Sequence, residues 1–106
     1  MWQGYYEQQG SKQPMKFTNF QANPIPGGNI NGSGSDEVGQ FMFSGTFNND
    51  ATKVRFEKKY QTHSVFYQGD VVSVAPPTIR GTWTILNNQS GNFEIKRQWY
   101  RLAKQN

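Results

Sequence analysis

Large apolar residues alternate with polar ones along most of the chain. The alternation is clearest at Gly39-Gln-Phe-Met-Phe-Ser-Gly-Thr-Phe47, where Phe41, Phe43, Gly45 and Phe47 share one face of an extended strand. Gln40, Met42, Ser44 and Thr46 take the other face, so one side is oily and the other mostly polar. The unit inside this stretch is a large apolar residue, any residue, Gly, any residue and an aromatic. It returns as Trp2-Gln-Gly4-Tyr-Tyr6 and Ile79-Arg-Gly81-Thr-Trp83, with a looser copy at Tyr67-Gln-Gly69-Asp-Val71.

The same periodicity predicts strands over 2–6, 15–20, 40–47, 53–60, 63–68, 79–86 and 92–100, with a short one around Ile30. Turn residues separate them, among them Asn48-Asn49-Asp50 and Gln61-Thr62. Residues 21–39 are rich in Gly, Pro, Asn and Ser and read as a long loop broken only by Ile25, Ile30 and Val38. No stretch carries the pattern of a long helix. The fold class is therefore all-β, and an antiparallel up-and-down barrel of about eight strands is expected because closure hides every sheet edge. A two-sheet sandwich is the alternative. Glycines on the inward face suit a tightly coiled barrel.

The inward positions would then hold Trp2, Tyr6, Phe17, Phe41, Phe43, Phe47, Phe56, Tyr60, Tyr67, Trp83, Phe93 and Trp99. So many rings fill a small barrel, which moves function to the outer face, the loops and the tail. Composition agrees: only 34% of the 106 residues are apolar, yet Trp 3, Tyr 5 and Phe 8 supply the bulk of a single-domain core spanning 1–106.

The chain has no cysteine, which excludes disulfides and thiolate metal sites. No apolar run reaches the length of a membrane span, and Met1-Trp-Gln-Gly-Tyr lacks the basic start and apolar stretch of a signal peptide. The expectation is a soluble intracellular protein of the cytoplasm or cytoskeleton, with cilium and mitochondrion left open. The net charge of +4 is uneven. Lys12 and Lys16 against Glu7, Asp36, Glu37 and Asp50 leave residues 1–52 at −2, whereas nine cations against Glu57, Asp70 and Glu94 leave residues 53–106 at +6. A basic side permits an acidic partner, whether nucleic acid, an acidic protein surface or anionic lipid, without choosing among them.

Three groups of residues are candidates for chemistry. Lys58, Tyr60, His63 and Arg97 fall on inward faces; converging, they would bind a carboxylate or phosphate. The preferred alternative puts the cations at open barrel ends with their stems packed and their heads in water. His63 is the only histidine, so neither a metal centre nor a catalytic triad is indicated, and no enzyme activity or cofactor is expected. Gly32-Ser-Gly-Ser-Asp36 lacks the Lys-Ser/Thr of a phosphate loop and reads as a turn in which Asp36 bonds nearby amides. Lys53, Arg55 and Lys59 share an outward strand face, and the tail 96–106 mixes Lys96, Arg101 and Lys104 with Trp99 and Tyr100. That combination suits an acidic protein surface, or single-stranded nucleic acid stacking on the rings.

The layout resembles the calycin superfamily of lipocalin, fatty-acid-binding and avidin-like barrels, in which a Trp beside a Gly on the first strand packs under a basic residue from the last. Trp2 and Gly4 with Arg97 or Arg101 match those parts in reversed Gly and Trp order. The run Gly32-x-Gly34-x-Asp36-x-x-Gly39-x-Phe41, with Phe56-x-Lys58-x-Tyr60, His63-x-Val65 and Tyr67-x-Gly69, also looks like a small domain recurrent in protist proteins. Both likenesses imply a barrel; the first also implies a carrier of a small apolar or anionic ligand. The leading functional expectation is a non-enzymatic structural or interaction subunit of a larger cytoskeletal, ciliary or mitochondrial assembly. It would contact its neighbours through loop 21–39 and the basic tail. The carrier and a nucleic-acid-binding module are the alternatives.

Overall fold

A computed structural model describes residues 2–86 and 89–97. The strands are β1 (Trp2–Gln8), β2 (Ser11–Ala22), β3 (Asn29–Ser35), β4 (Gln40–Phe47), β5 (Lys53–Tyr60), β6 (Ser64–Val74), β7 (Pro77–Ile85) and β8 (Gln89–Arg97). Each pairs antiparallel with the next. β8 returns to β1 with Trp2 opposite Arg97, Gly4 opposite Ile95 and Tyr6 opposite Phe93, closing the barrel. Closure satisfies the backbone of what would otherwise be two exposed edges.

The recurrent aromatic and glycine unit has a direct physical role. In the register, Gly32 and Gly34 lie beside Phe43 and Phe41, Gly45 beside Phe56, Gly81 beside Phe93 and Gly91 beside Trp83. At Gly32, Gly34 and Gly91 the ring on the neighbouring strand lies in the space that a side chain would fill, whereas at Gly45 and Gly81 the nearest atoms are backbone. A Cβ on Gly32 would come 2.6 Å from the Phe43 ring, and one on Gly91 2.6 Å from the Trp83 indole nitrogen. Pairing a large ring with no side chain lets a narrow barrel close at native packing density. The rings contact one another in turn: Phe56 stacks on Tyr67 at 4.7 Å, and Phe93 meets both edge-on.

The buried core comprises Tyr6, Met15, Ile30, Phe41, Phe43, Phe47, Val54, Phe56, Val65, Tyr67, Ile79, Trp83, Phe93 and Ile95. Trp2, Phe17 and Tyr60 from the expected interior set are only partly buried against it, and Trp99 lies outside the described residues. Two departures from the expected layout have clear causes. The short strand expected around Ile30 runs over all of β3, because beyond Ile30 its inward positions are Gly32 and Gly34, which carry no apolar signal. β2 is longer than 15–20, and a bulge between Phe17 and Asn19 shifts its alternation by one. Phe20 therefore lies on the same side as Phe17 and stacks on Trp2 at 4.1 Å.

Up-and-down connectivity sorts the turns between two rims. The turns at 9–10, 36–39 and 61–63 share one rim; those at 23–28, 48–52 and 75–76 share the other with the start of β1 and the end of β8. Lys58 and Tyr60 run toward the first rim and Arg97 toward the second.

Candidate functional site

Lys58 sits at an inward position of β5, opposite Phe43 and Val65, and only 2% of it is exposed. An ammonium there is tolerable only with a counter-charge and close polarisable neighbours. Asp36 in the β3–β4 turn provides the charge, its carboxylate oxygen Oδ2 lying 2.9 Å from Lys58 Nζ, with the carboxylate itself fully buried. The ring centroids of Tyr6 and Phe41 lie 4.8 Å from Nζ, and those of Tyr60 and Tyr67 lie 5.0 and 5.1 Å away. Met15 Sδ is 3.5 Å from it. Four π faces around a desolvated cation are each worth about 0.5–2 kcal/mol.

The turn that presents Asp36 is built for the purpose. The Asp36 amide donates to the Gly39 carbonyl at 3.0 Å and the Gly39 amide donates back to the Asp36 carbonyl at 3.1 Å. Gly39 closes this loop at φ +149°, a conformation that side chains disfavour. Asp36 Oδ1 accepts from the Val38 amide at 3.0 Å, which fixes the carboxylate, and Oδ2 also accepts from the Tyr60 hydroxyl. Glu37 reaches the neighbouring Tyr6, whose hydroxyl donates to Glu37 Oε2 at 3.2 Å.

Burial pushes the Lys58 amine below the ordinary lysine value, and the Asp36 carboxylate restores part of the shift. The Tyr6, Tyr60 and Tyr67 hydroxyls are all raised, first by burial and then by the negative charge at Asp36. The Lys58 and Asp36 charges thus offset each other inside the barrel.

Of the four residues suggested for an anion pocket, the structure brings Lys58 and Tyr60 together on Asp36. His63 is exposed and stacks on Tyr60 at 5.0 Å, with Thr62 Oγ1 2.9 Å from its Nδ1. Arg97 is exposed at the opposite rim. The Lys58 head does not reach water at a barrel end, because Asp36 meets it inside. Asp36 was not singled out in the sequence as the partner of Lys58, and the strand faces narrow the choice only to two residues. Glu7, Glu57, Asp70 and Glu94 hold outward positions and Asp50 belongs to the other rim, which leaves Asp36 and Glu37 for an inward lysine at this one. Among the described residues no three His, Cys, Asp or Glu side chains gather as metal ligands.

The outer wall presents a different surface. One cleft of about 1120 Å³ runs over β3, β4 and β5 past Ser33, Val38, Met42 and Lys59. A second, of about 440 Å³, runs over β4 to β7 past Arg55, Glu57, Phe66 and Thr84, and both are lined by Ser44. Met42 is 68% exposed and Phe66 44%, and Val38, which lines the first cleft with Met42, is 51% exposed. Among the described residues Arg55 and Lys59 have no ion-pair partner, whereas Lys53 is bound to Asp70 at 2.7 Å. Lys96 lies opposite Gln3 and Thr78; Trp99, Tyr100, Arg101 and Lys104 lie outside the described residues. Compared with family models, curated proteins and solved structures, the chain matches none.

Proposed function

We propose that this chain is a non-enzymatic barrel that serves as an interaction subunit of a larger assembly and holds a protein partner of acidic surface against its outer wall. The observation that carries the reading is the contrast between the two faces of that wall. Inside, Lys58, the one buried cation among the described residues, already has its carboxylate and its aromatic neighbours, so the charge is spent on the fold. Outside, Arg55 and Lys59, without an ion-pair partner among the described residues, lie beside exposed Met42 and Phe66, the mixture of charge and apolar area that protein interfaces use. The carrier suggested by the calycin resemblance finds less support, because it needs Lys58, Tyr60 and Arg97 around one space. A nucleic-acid module needs several exposed rings in series, and on this wall Phe66 stands alone among the described residues.

The reading is tested by the native mass of the chain in a gentle low-salt extract of its source. Migration with a large complex supports it. Migration as a free 12.1 kDa monomer overturns it.

A further inference from the structure

Resting on that reading, we infer the form of the partner: an extended peptide segment lying along β5 between the two clefts, with acidic side chains four residues apart. The outward residues of β5 read Arg55, Glu57, Lys59, so the charges along the strand run plus, minus, plus. Extended backbone advances about 3.3 Å per residue, which puts Arg55 and Lys59 about 13 Å apart with Glu57 midway. A segment in the same conformation matches this comb when it carries carboxylates at positions i and i+4 and a cation at i+2. All three then project from one face toward the wall.

The flanks set the remaining chemistry. In the register, Lys59 stands opposite Met42, and Glu57 stands between Ser44 on one side and Phe66 on the other. The small Ser44 forms a floor where the two clefts adjoin, while Met42 and Phe66 rise as walls on opposite sides of β5. Apolar side chains of the segment pack on those walls, and carboxylates at its ends pair with Arg55 and Lys59. A closed barrel offers no edge for strand addition, so recognition runs through side chains rather than through a backbone ladder. The alternating charge also sets a register, since sliding the segment by two residues brings like charges together.

The test uses the full chain and synthetic peptides. The probe carries Glu at i and i+4, Lys at i+2 and Leu or Ala elsewhere. A control of identical composition has the two glutamates adjacent. The expected result is that the spaced peptide binds about tenfold or more tightly than the control, shifts the amide resonances of β4 to β6, and loses binding in an Arg55→Glu/Lys59→Glu double variant. A Lys12→Glu/Lys16→Glu variant, with the same charge change on β2, is expected to bind as the parent does. Equal binding of both peptides, equal loss in both variants, or no binding overturns the inference. If the large complex in extract survives Arg55→Glu/Lys59→Glu, the segment and its site are wrong while the interaction reading stands. Loss of the complex altogether from the unaltered chain removes both.

Discussion

Lys58 Nζ and Asp36 Oδ2 meet at 2.9 Å across 22 positions of sequence, which ties the middle of β5 to the β3–β4 turn inside the barrel. Truncating one partner leaves the other charge buried and unmatched, so Asp36→Ala is expected to cost about 3–5 kcal/mol. Neutralising both as Lys58→Met/Asp36→Asn removes the desolvation of two ions together with their attraction, and is expected to be neutral or stabilising by about 1–4 kcal/mol. Urea unfolding of the two variants and the parent checks the pair. A double variant as unstable as Asp36→Ala would mean that the ions are not coupled.

The same network gives stability a predictable dependence on alkaline pH. The folded-state pKa of Lys58 lies below its unfolded value of about 10.4, so between the two the unfolded chain binds more protons and stability rises with pH. Tyr6, Tyr60 and Tyr67 have raised values: the folded chain keeps protons that the unfolded chain loses above about pH 10, and stability falls from there. Three tyrosines outweigh one lysine, and a cooperative alkaline unfolding is expected in which most tyrosinate absorbance appears only as structure is lost. Tyrosine absorbance and circular dichroism recorded on one pH series check the coincidence. Gradual ionisation ahead of unfolding would contradict the burial of these hydroxyls.

How much of this was legible in the sequence depends on whether a position carries a side chain that reports its face. β4 and β5 were, because Phe41, Phe43, Phe47, Val54 and Phe56 mark the inward side at every second residue. β3 was legible only around Ile30, since Gly32 and Gly34 give way to the rings of Phe43 and Phe41 on the next strand and so show no hydrophobicity of their own. The place of Phe20 beside Phe17 was not readable either, because a bulge, which one inserted residue creates without any compositional trace, sets it there. Lys58 was visible as an inward cation, yet its partner was a tertiary fact. Asp36 becomes its counter-ion only once closure puts the 36–39 turn over the barrel end. The outward pattern of Arg55, Glu57 and Lys59 was readable, as was the outer face of Met42, but that Met42 and Phe66 flank that pattern required the register.

Burial, and not charge, separates the ion pairs of this molecule. Lys53 and Asp70 meet at 2.7 Å with side chains 60% and 58% exposed, in water that screens the pair and leaves both ends mobile. Asp70→Ala is therefore expected to change stability by less than about 1 kcal/mol, against the several expected for Asp36→Ala. Denaturant midpoints of the two variants at low and high salt check the contrast, and salt is expected to narrow the small effect only. Comparable losses would show that Asp36 is far wetter than its burial indicates.

The glycines facing the aromatic core divide by what stands in their way. A Cβ on Gly45 would lie 1.9 Å from the Arg55 carbonyl oxygen and 2.5 Å from Phe56 Cα, and backbone cannot withdraw without breaking the β4–β5 ladder. A Cβ on Gly69 would instead meet the outer ends of side chains, 2.9 Å from both Ile79 Cγ2 and Phe93 Cζ, with the Arg80 carbonyl at 3.0 Å. Both Gly45→Ala and Gly69→Ala are expected to destabilise by about 1–3 kcal/mol or more. The second-site response is expected to differ. Phe93→Leu shortens the ring that crowds position 69 and recovers part of the loss in Gly69→Ala. Phe56→Leu leaves the clash of Gly45→Ala where it is, because the obstructing atoms are backbone and the Phe56 Cβ that leucine keeps. Thermal unfolding of the four single and two double variants measures the two coupling energies. A coupling at 45 and 56 as large as that at 69 and 93 would show that the strand, and not the ring, yields at both sites.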